Sequence, residues 1–152
     1  MRRIRPFLIL VLALCLAAGA QAQLASFKKS MLTIDTAAGP KRFIVELALS
    51  ADEQAQGLMF RHSLATDAGM LFDFGKPRPA EFWMRNTLIP LDMIFIAADG
   101  RIADLHERAV PLSEATIQSK IPVRAVLELN GGTVARLGIK PGDVVHHEVF
   151  GN

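Results

Sequence analysis

The 152-residue chain has no tyrosine, one tryptophan and one cysteine. The cysteine, Cys15, lies within the first 22 residues, which read as an export signal and not as fold. The remainder carries no thiol, which excludes cysteine nucleophiles, disulfides and thiolate metal sites from that part. A second long apolar run is also missing, and the leading one is shorter than the ~20 residues of a comfortable membrane span. There is no basic run either. Without residues 1–22 the chain loses Arg2, Arg3 and Arg5. That leaves 14 Lys and Arg against 15 Asp and Glu, so the net charge moves from +2 to −1. A near-neutral domain of this kind is a poor nucleic-acid candidate.

What is present begins with a basic start over Met1–Pro6, an uncharged Leu- and Ala-rich run from Phe7 to Gly19, and small residues at Ala20 and Ala22. That order predicts a secretory signal cleaved after Ala22 and a periplasmic or extracellular product. An uncleaved N-terminal anchor is the alternative. A lipid anchor on Cys15 is disfavoured by Leu14, where a small residue is needed. Residues 23–30 read as a loose leader and residues 31–150 as one globular domain. About 130 residues can fold on a core alone, burying roughly two-thirds of their surface.

Within the domain, Met31–Thr36 and Arg42–Leu49 alternate as two strands around a break at Gly39-Pro40. Ser50-Ala-Asp-Glu53 is a capping box opening a short helix that stops at Gly57. Met70–Phe74 is a short strand before the Pro-rich Gly75–Pro79. Glu81–Ile96 reads as a hairpin with a polar tip, and Asp99-Gly100 is a turn that pairs Arg101–His106 back on Met93–Ala97. The stretch Val110–Pro122 is irregular and of a length found in lids and covers. A strand over Val123–Leu129, a short helix over Thr133–Leu137 and a last strand from Val144 complete the chain. The expected fold is α+β: about eight strands, mostly antiparallel, in a curled sheet or partial barrel with two short helices.

The densest chemistry sits in Glu81–Ile96, where Trp83, Arg85, Asn86, Thr87 and Asp92 fall between two apolar runs. Such a set can bind a carboxylate, a sugar or a peptide end. The plainer alternative is a polar clasp that holds the turn through side-chain bonds to backbone. Arg61, after the apolar Leu58-Met-Phe60, is either an anion ligand or half of an ion pair. Glu128, flanked by apolar residues, reads as the solvent-side member of an alternating strand. Were that strand buried on both faces, Glu128 would become a carboxyl with a raised pKa and a candidate acid or base. Asp92 and Glu128 are the only pair available for general acid–base work. His62, His106, His146 and His147 are dispersed, and adjacent strand residues point to opposite faces, so no metal site is expected. No Gly-x-Ser-x-Gly elbow and no phosphate-binding loop is present. Phe72, Phe74, Phe82, Trp83 and Phe95 read as packing residues.

Taken in order, Gly57-Leu-Met-Phe-Arg61, Gly69-Met-Leu-Phe72, Phe82-Trp-Met-Arg-Asn-Thr87 with Pro90-Leu-Asp92, Leu127-Glu-Leu129 and Gly142-Asp143 resemble family 192 of the domains of unknown function. The match runs from about Leu32 to Val149. The resemblance implies a small, often exported bacterial or archaeal protein with a compact α+β fold. It singles out Arg61, Trp83, Asn86, Thr87 and Asp92 as motif positions and brings no reaction and no cofactor. Many members carry a tyrosine before the Leu-Glu block; this chain has none.

Three expectations follow. The first is an exported, monomeric, non-enzymatic domain that binds a small polar ligand or an envelope component at the 81–96 tip. The second is an envelope carbohydrate-active hydrolase or lyase using Asp92 and Glu128. The third is a structural or assembly factor in which the polar cluster only holds the fold.

Overall fold

A computed structural model describes residues 24–151; the signal expected over 1–22 lies outside them. In chain order the elements are β1 (Lys28–Thr36), β2 (Gly39–Ala48), α1 (Ala51–Gln56), β3 (Ala68–Arg78), β4 (Glu81–Phe82), β5 (Leu91–Ile96), β6 (Ile102–Ala109), β7 (Ile117–Gln118), β8 (Val123–Asn130), α2 (Thr133–Leu137) and β9 (Val144–His146), followed by a 3-10 turn at Glu148–Phe150. The α+β class and the two short helices are as expected. Strand β1 starts earlier than expected: Lys28 to Ser30, read as leader, pair with Leu47 to Val45 of β2. Lys28 and Lys29 are exposed and Ser30 is half-buried, so the three carry no apolar alternation to mark them as strand.

Seven strands form one sheet in the order β6-β5-β8-β3-β2-β1-β9. All its pairs are antiparallel except β2 with β3, which α1 links as a parallel crossover. The sheet curls until its edges meet, where Arg101, just before β6, bridges Val144 of β9. Backbone bonds from Ile102 to Asp143 and from Val145 to Gly100 close this seam.

Curling gives the sheet an inside and an outside, and both are covered. Inside, Leu32, Ile34, Phe43, Val45, Leu47, Ile94 and Leu127 pack with Val134 and Ile139 from α2 and its following turn. Outside, Met70, Phe72, Met93, Phe95 and Val126 pack beneath Leu58, Ala80 and Met84 from the connecting segments. Every residue of β5 is therefore buried, as expected of a strand covered on both faces. The two layers leave no room for extra atoms at the β3–β8 contact. A Cβ on Gly69 would lie 2.7 Å from the Glu128 carbonyl oxygen.

Glu81–Ile96 is not a hairpin. β4 pairs with β7, 35 residues downstream, through Glu81 with Gln118 and Phe82 with Ile117. β5 instead lies between β6 and β8. Residues 83–90 form a loop on the outer layer, tied on one side to residue 60 (Phe60 N to Asn86 O, 2.8 Å) and on the other to residues 112 and 113 (Leu112 N to Thr87 O, 3.1 Å; Met84 N to Ser113 O, 2.8 Å). The 110–122 stretch is thus docked on this loop. Three bulky or polar residues at these ties, Phe60, Asn86 and Leu112, have φ between +56° and +64°. Such backbone is costly for residues with a Cβ and persists only where its surroundings fix it.

Candidate functional site

The capping box forms as the sequence predicts. Ser50 Oγ accepts from the Glu53 amide at 3.2 Å, and Glu53 accepts from the Ser50 and Leu49 amides at 2.8 and 2.9 Å. Those backbone bonds hold the Glu53 carboxyl below its ordinary value. α1 then ends at Gly57, with φ +49°. A Cβ there would meet the Phe72 ring at 3.2 Å, so the absence of a side chain lets the helix end come down onto β3.

Between that helix end and the 81–87 segment lies a pocket of about 370 Å³, within the size range of small-ligand sites. Phe72, Phe74, Phe82 and Trp83 form its aromatic part, with Leu58 and Met59 beside them. Phe82 meets Phe72 edge-on, with ring centres 5.1 Å apart. The Arg78 guanidinium sits 4.1 Å above the Phe74 ring centre at the rim. Thr87 and Glu128 supply polar atoms from below.

Glu128 is the unusual member. It is only 4% exposed. In register its neighbours are Met70 on β3 and Met93 on β5, neither of which can hydrogen-bond a carboxylate strongly. Among the described residues no hydrogen bond or ion pair reaches its carboxyl, and burial pushes its pKa up to about 8. The solvent-side position expected for it is corrected by the outer layer: Leu58, Leu64, Ala80, Met84 and Ile89, from the 58–64 and 80–89 segments, pack in one cluster with Val126 and Met93 of that face.

Asp92 does something different. Its β5 neighbours Ile94 and Ile96 point to the inner core, whereas Glu128 shares the outer face with Val126; alternation therefore puts the two carboxylates on opposite sides of the sheet. They cannot share a cleft, which removes the two-carboxylate arrangement expected for a hydrolase. Asp92 is fully buried and accepts three backbone amides: Arg108 at 2.8 Å, Gly132 at 2.9 Å and Val134 at 2.8 Å. Gly132, the residue before α2, offers no side-chain cap of its own. Asp92 caps that helix from a neighbouring strand and also fixes the bulge in β6. This is a clasp, though across three elements and not within the one turn expected.

The other expected residues separate in the same way. Arg61 forms a two-pronged ion pair with Glu46, at 2.7 and 3.3 Å, and does not line the pocket. Arg85 lies 5.4 Å above the Trp83 ring centre and 3.7 Å from Glu114, both on the exposed side. Asn86 serves the turn, its carbonyl accepting from Phe60. Trp83 and Thr87 alone among the expected ligand-binding set line the pocket. The Thr87 hydroxyl donates to the Arg85 carbonyl at 3.3 Å. Among the histidines, His146 pairs with Asp35 at 2.9 Å. Among the described residues, no group of three or more His, Cys, Asp or Glu could hold a metal ion.

Residues 32–147 match domain-of-unknown-function family 192, described as an uncharacterized ACR. The chain belongs to this family. No curated protein matches it. Two solved structures share its fold at high identity. One, from Sinorhizobium meliloti 1021 and provisionally described as a transcription regulator, is 51% identical over 84% of this chain and 99% of its own, with a TM-score of 0.80. The other, a protein of unknown function from Novosphingobium aromaticivorans DSM 12444, is 47% identical over 78% of this chain and 85% of its own, with a TM-score of 0.77. The family 192 fold thus accounts for the sheet and the motif positions, while the chemistry rests on the pocket itself.

The pocket was missed as a unit because its walls come from four separated segments. Phe72, Phe74 and Phe82, expected only to pack, are walls. One signal was available: Ala125-Val-Leu127 and Leu129 are apolar without alternation, as in a strand buried on both faces, and Glu128 sits among them.

Proposed function

We propose that this family 192 chain is an exported, non-catalytic binding domain that takes a small ligand in the pocket between α1 and the 81–87 segment. The observation that carries the reading is Glu128: a buried carboxyl without a partner, flooring an aromatic pocket of about 370 Å³. An unpaired buried polar group costs stability, and such groups mark functional sites when they line a cleft. The expected polar ligand is retained, and its position moves from the tip of the loop to the inner side of Trp83 and Thr87. The description of the Sinorhizobium protein as a transcription regulator finds no support in the near-neutral charge of residues 23–152 here.

A fragment screen followed by amide NMR tests the pocket. Bound fragments should shift amides of residues 54–59, 72–74, 82–87 and 128. Ala55→Trp, placed on the exposed lip, should weaken them at least tenfold. Fragments that shift other regions, or that bind Ala55→Trp as tightly as the parent, overturn the reading. Export rests on the basic start, apolar run and small-residue site of residues 1–22. Mass spectrometry of protein from the periplasm or medium should find Gln23 at the N-terminus. An intact Met1 on protein confined to the cytoplasm contradicts it.

A further inference from the structure

Among the described residues, Glu128 is the pocket's one carboxyl without a partner; Gln56 Nε2, Trp83 Nε1 and the Arg78 guanidinium are donors left on the walls, and the others are engaged. Gln54 Nε2 is spent on the Ala48 and Asp73 carbonyls, at 3.2 and 2.8 Å. The Thr87 hydroxyl is spent on Arg85 O. The Gly57 amide donates to Glu53 O at 2.8 Å. Both Glu128 oxygens remain open. The walls add aromatic faces, whose negative quadrupole attracts cations and repels anions. The protein's own cations already use them: Arg78 lies over Phe74 and Arg85 over Trp83. At the exposed rim, Arg78 and Glu81 bring one charge of each sign to the pocket lining, with Glu81 accepting from Gln118 at 2.9 Å. The group left for a ligand to answer is the Glu128 carboxyl.

We propose that the pocket selects an organic cation, with an ammonium nitrogen set between the aromatic walls and the Glu128 carboxyl and an apolar body against Phe72 and Phe82. This deepens the binding reading above and rests on it. Alone, the buried carboxyl favours the neutral acid; an arriving cation favours the carboxylate. Binding below pH 8 therefore transfers one proton from Glu128 to the buffer, and no bond to the ligand forms or breaks. Other charged groups near this face are accounted for. Glu46 lies two strands away in the same row and is paired with Arg61. His106, beyond Met93 on β6, and His62, in the loop after α1, are exposed. Glu114 on the docked 110–122 stretch is turned to Arg85.

The test uses benzyltrimethylammonium, whose charge does not change with pH, against benzyl alcohol and benzoate, each titrated by NMR into the purified protein between pH 6 and 9. The cation should bind in the pocket, with affinity rising up to about tenfold per pH unit from 6 to 8 and levelling above. Glu128→Gln, which keeps the shape of the neutral acid, should remove that dependence and weaken the cation at least tenfold at pH 9. Trp83→Ala, at a half-exposed wall, should weaken the cation and keep the pH slope. Pocket binding in which benzyl alcohol or benzoate matches the cation at pH 9, or in which cation affinity is flat or falls with pH, overturns this inference and leaves the binding reading standing. Cation-induced shifts confined to residues outside the pocket overturn it as well. If no probe or fragment binds the pocket at all, both fall.

Discussion

Asp92→Ala is expected to destabilise the domain by about 3–5 kcal/mol, a large share of the ~5–15 kcal/mol that holds a domain together. The substitution strips three backbone amides, those of Arg108, Gly132 and Val134, of their common acceptor. The Asp92 site is fully buried, so a buried donor left without a partner loses its hydration as well as its bond. The loss is shared by three elements, because the amides come from the β6 bulge, the Gly131-Gly132 turn and α2. Asp92→Asn should cost less, about 2 kcal/mol. Its remaining carbonyl can serve the Arg108 and Gly132 amides now held by one oxygen, while the Val134 amide faces an amino group. Urea unfolding measures both. A loss below about 1 kcal/mol for the alanine variant contradicts the clasp.

The second large effect is a fall in stability as the solution becomes alkaline. The folded Glu128 carboxyl holds its proton up to about pH 8, against an ordinary value of 4.5. Between those limits the folded state binds a proton that the unfolded chain has released, so stability decreases with rising pH. The stabilisation is fully present below 4.5 and lost by the time the pH has passed through 8. The gap amounts to roughly 5 kcal/mol over the whole range, and about 2 kcal/mol of it falls between pH 6.5 and 8. Other perturbed groups act elsewhere. Burial pushes the Asp73 carboxyl up, but hydrogen bonds from Arg124 and the Gly75 amide outweigh it and hold Asp73 low, so its effect is confined to acid. His147, lowered by burial, works in the opposite sense and only below its ordinary value of 6.5. The window from 6.5 to 8 therefore belongs to Glu128. Glu128→Gln should flatten the curve there and be the more stable protein at pH 9. Equal slopes for parent and variant contradict the buried acid.

Local signals in the chain were good guides. The Ser50–Glu53 box and the Gly57 stop are settled within one helical turn, and the structure repeats them. The Asp99-Gly100 turn likewise joins β5 to β6, with Gly100 N bonded to Ala97 O. The failures all involve distant partners. Glu81-Phe82 looks like the first arm of a hairpin because an apolar run follows nearby. That run is buried on both faces and has two longer neighbours to satisfy, so the short arm pairs with Ile117-Gln118 instead. The parallel β2–β3 pair depends on a crossover that alternation cannot reveal. Glu128 illustrates the same limit. Its strand was legible, but whether its outer face meets water or a second layer depends on where the 58–64 and 80–89 segments come down. The polar residues of the 81–92 stretch are conspicuous in sequence, yet Asp92 and Thr87 turn their side chains to backbone and Arg85 lies at the surface. The pocket is built largely from residues that look like core.

The most direct test is the pH titration of the Glu128 side-chain carboxyl by carbon-13 NMR, assigned by its disappearance in Glu128→Gln. A midpoint near 8 in the free protein is the predicted result, with the midpoint moving down when benzyltrimethylammonium is bound. A midpoint near 4.5 in the free protein means a hydrated or paired carboxylate, and contradicts the buried, unpartnered acid on which the pocket's role depends.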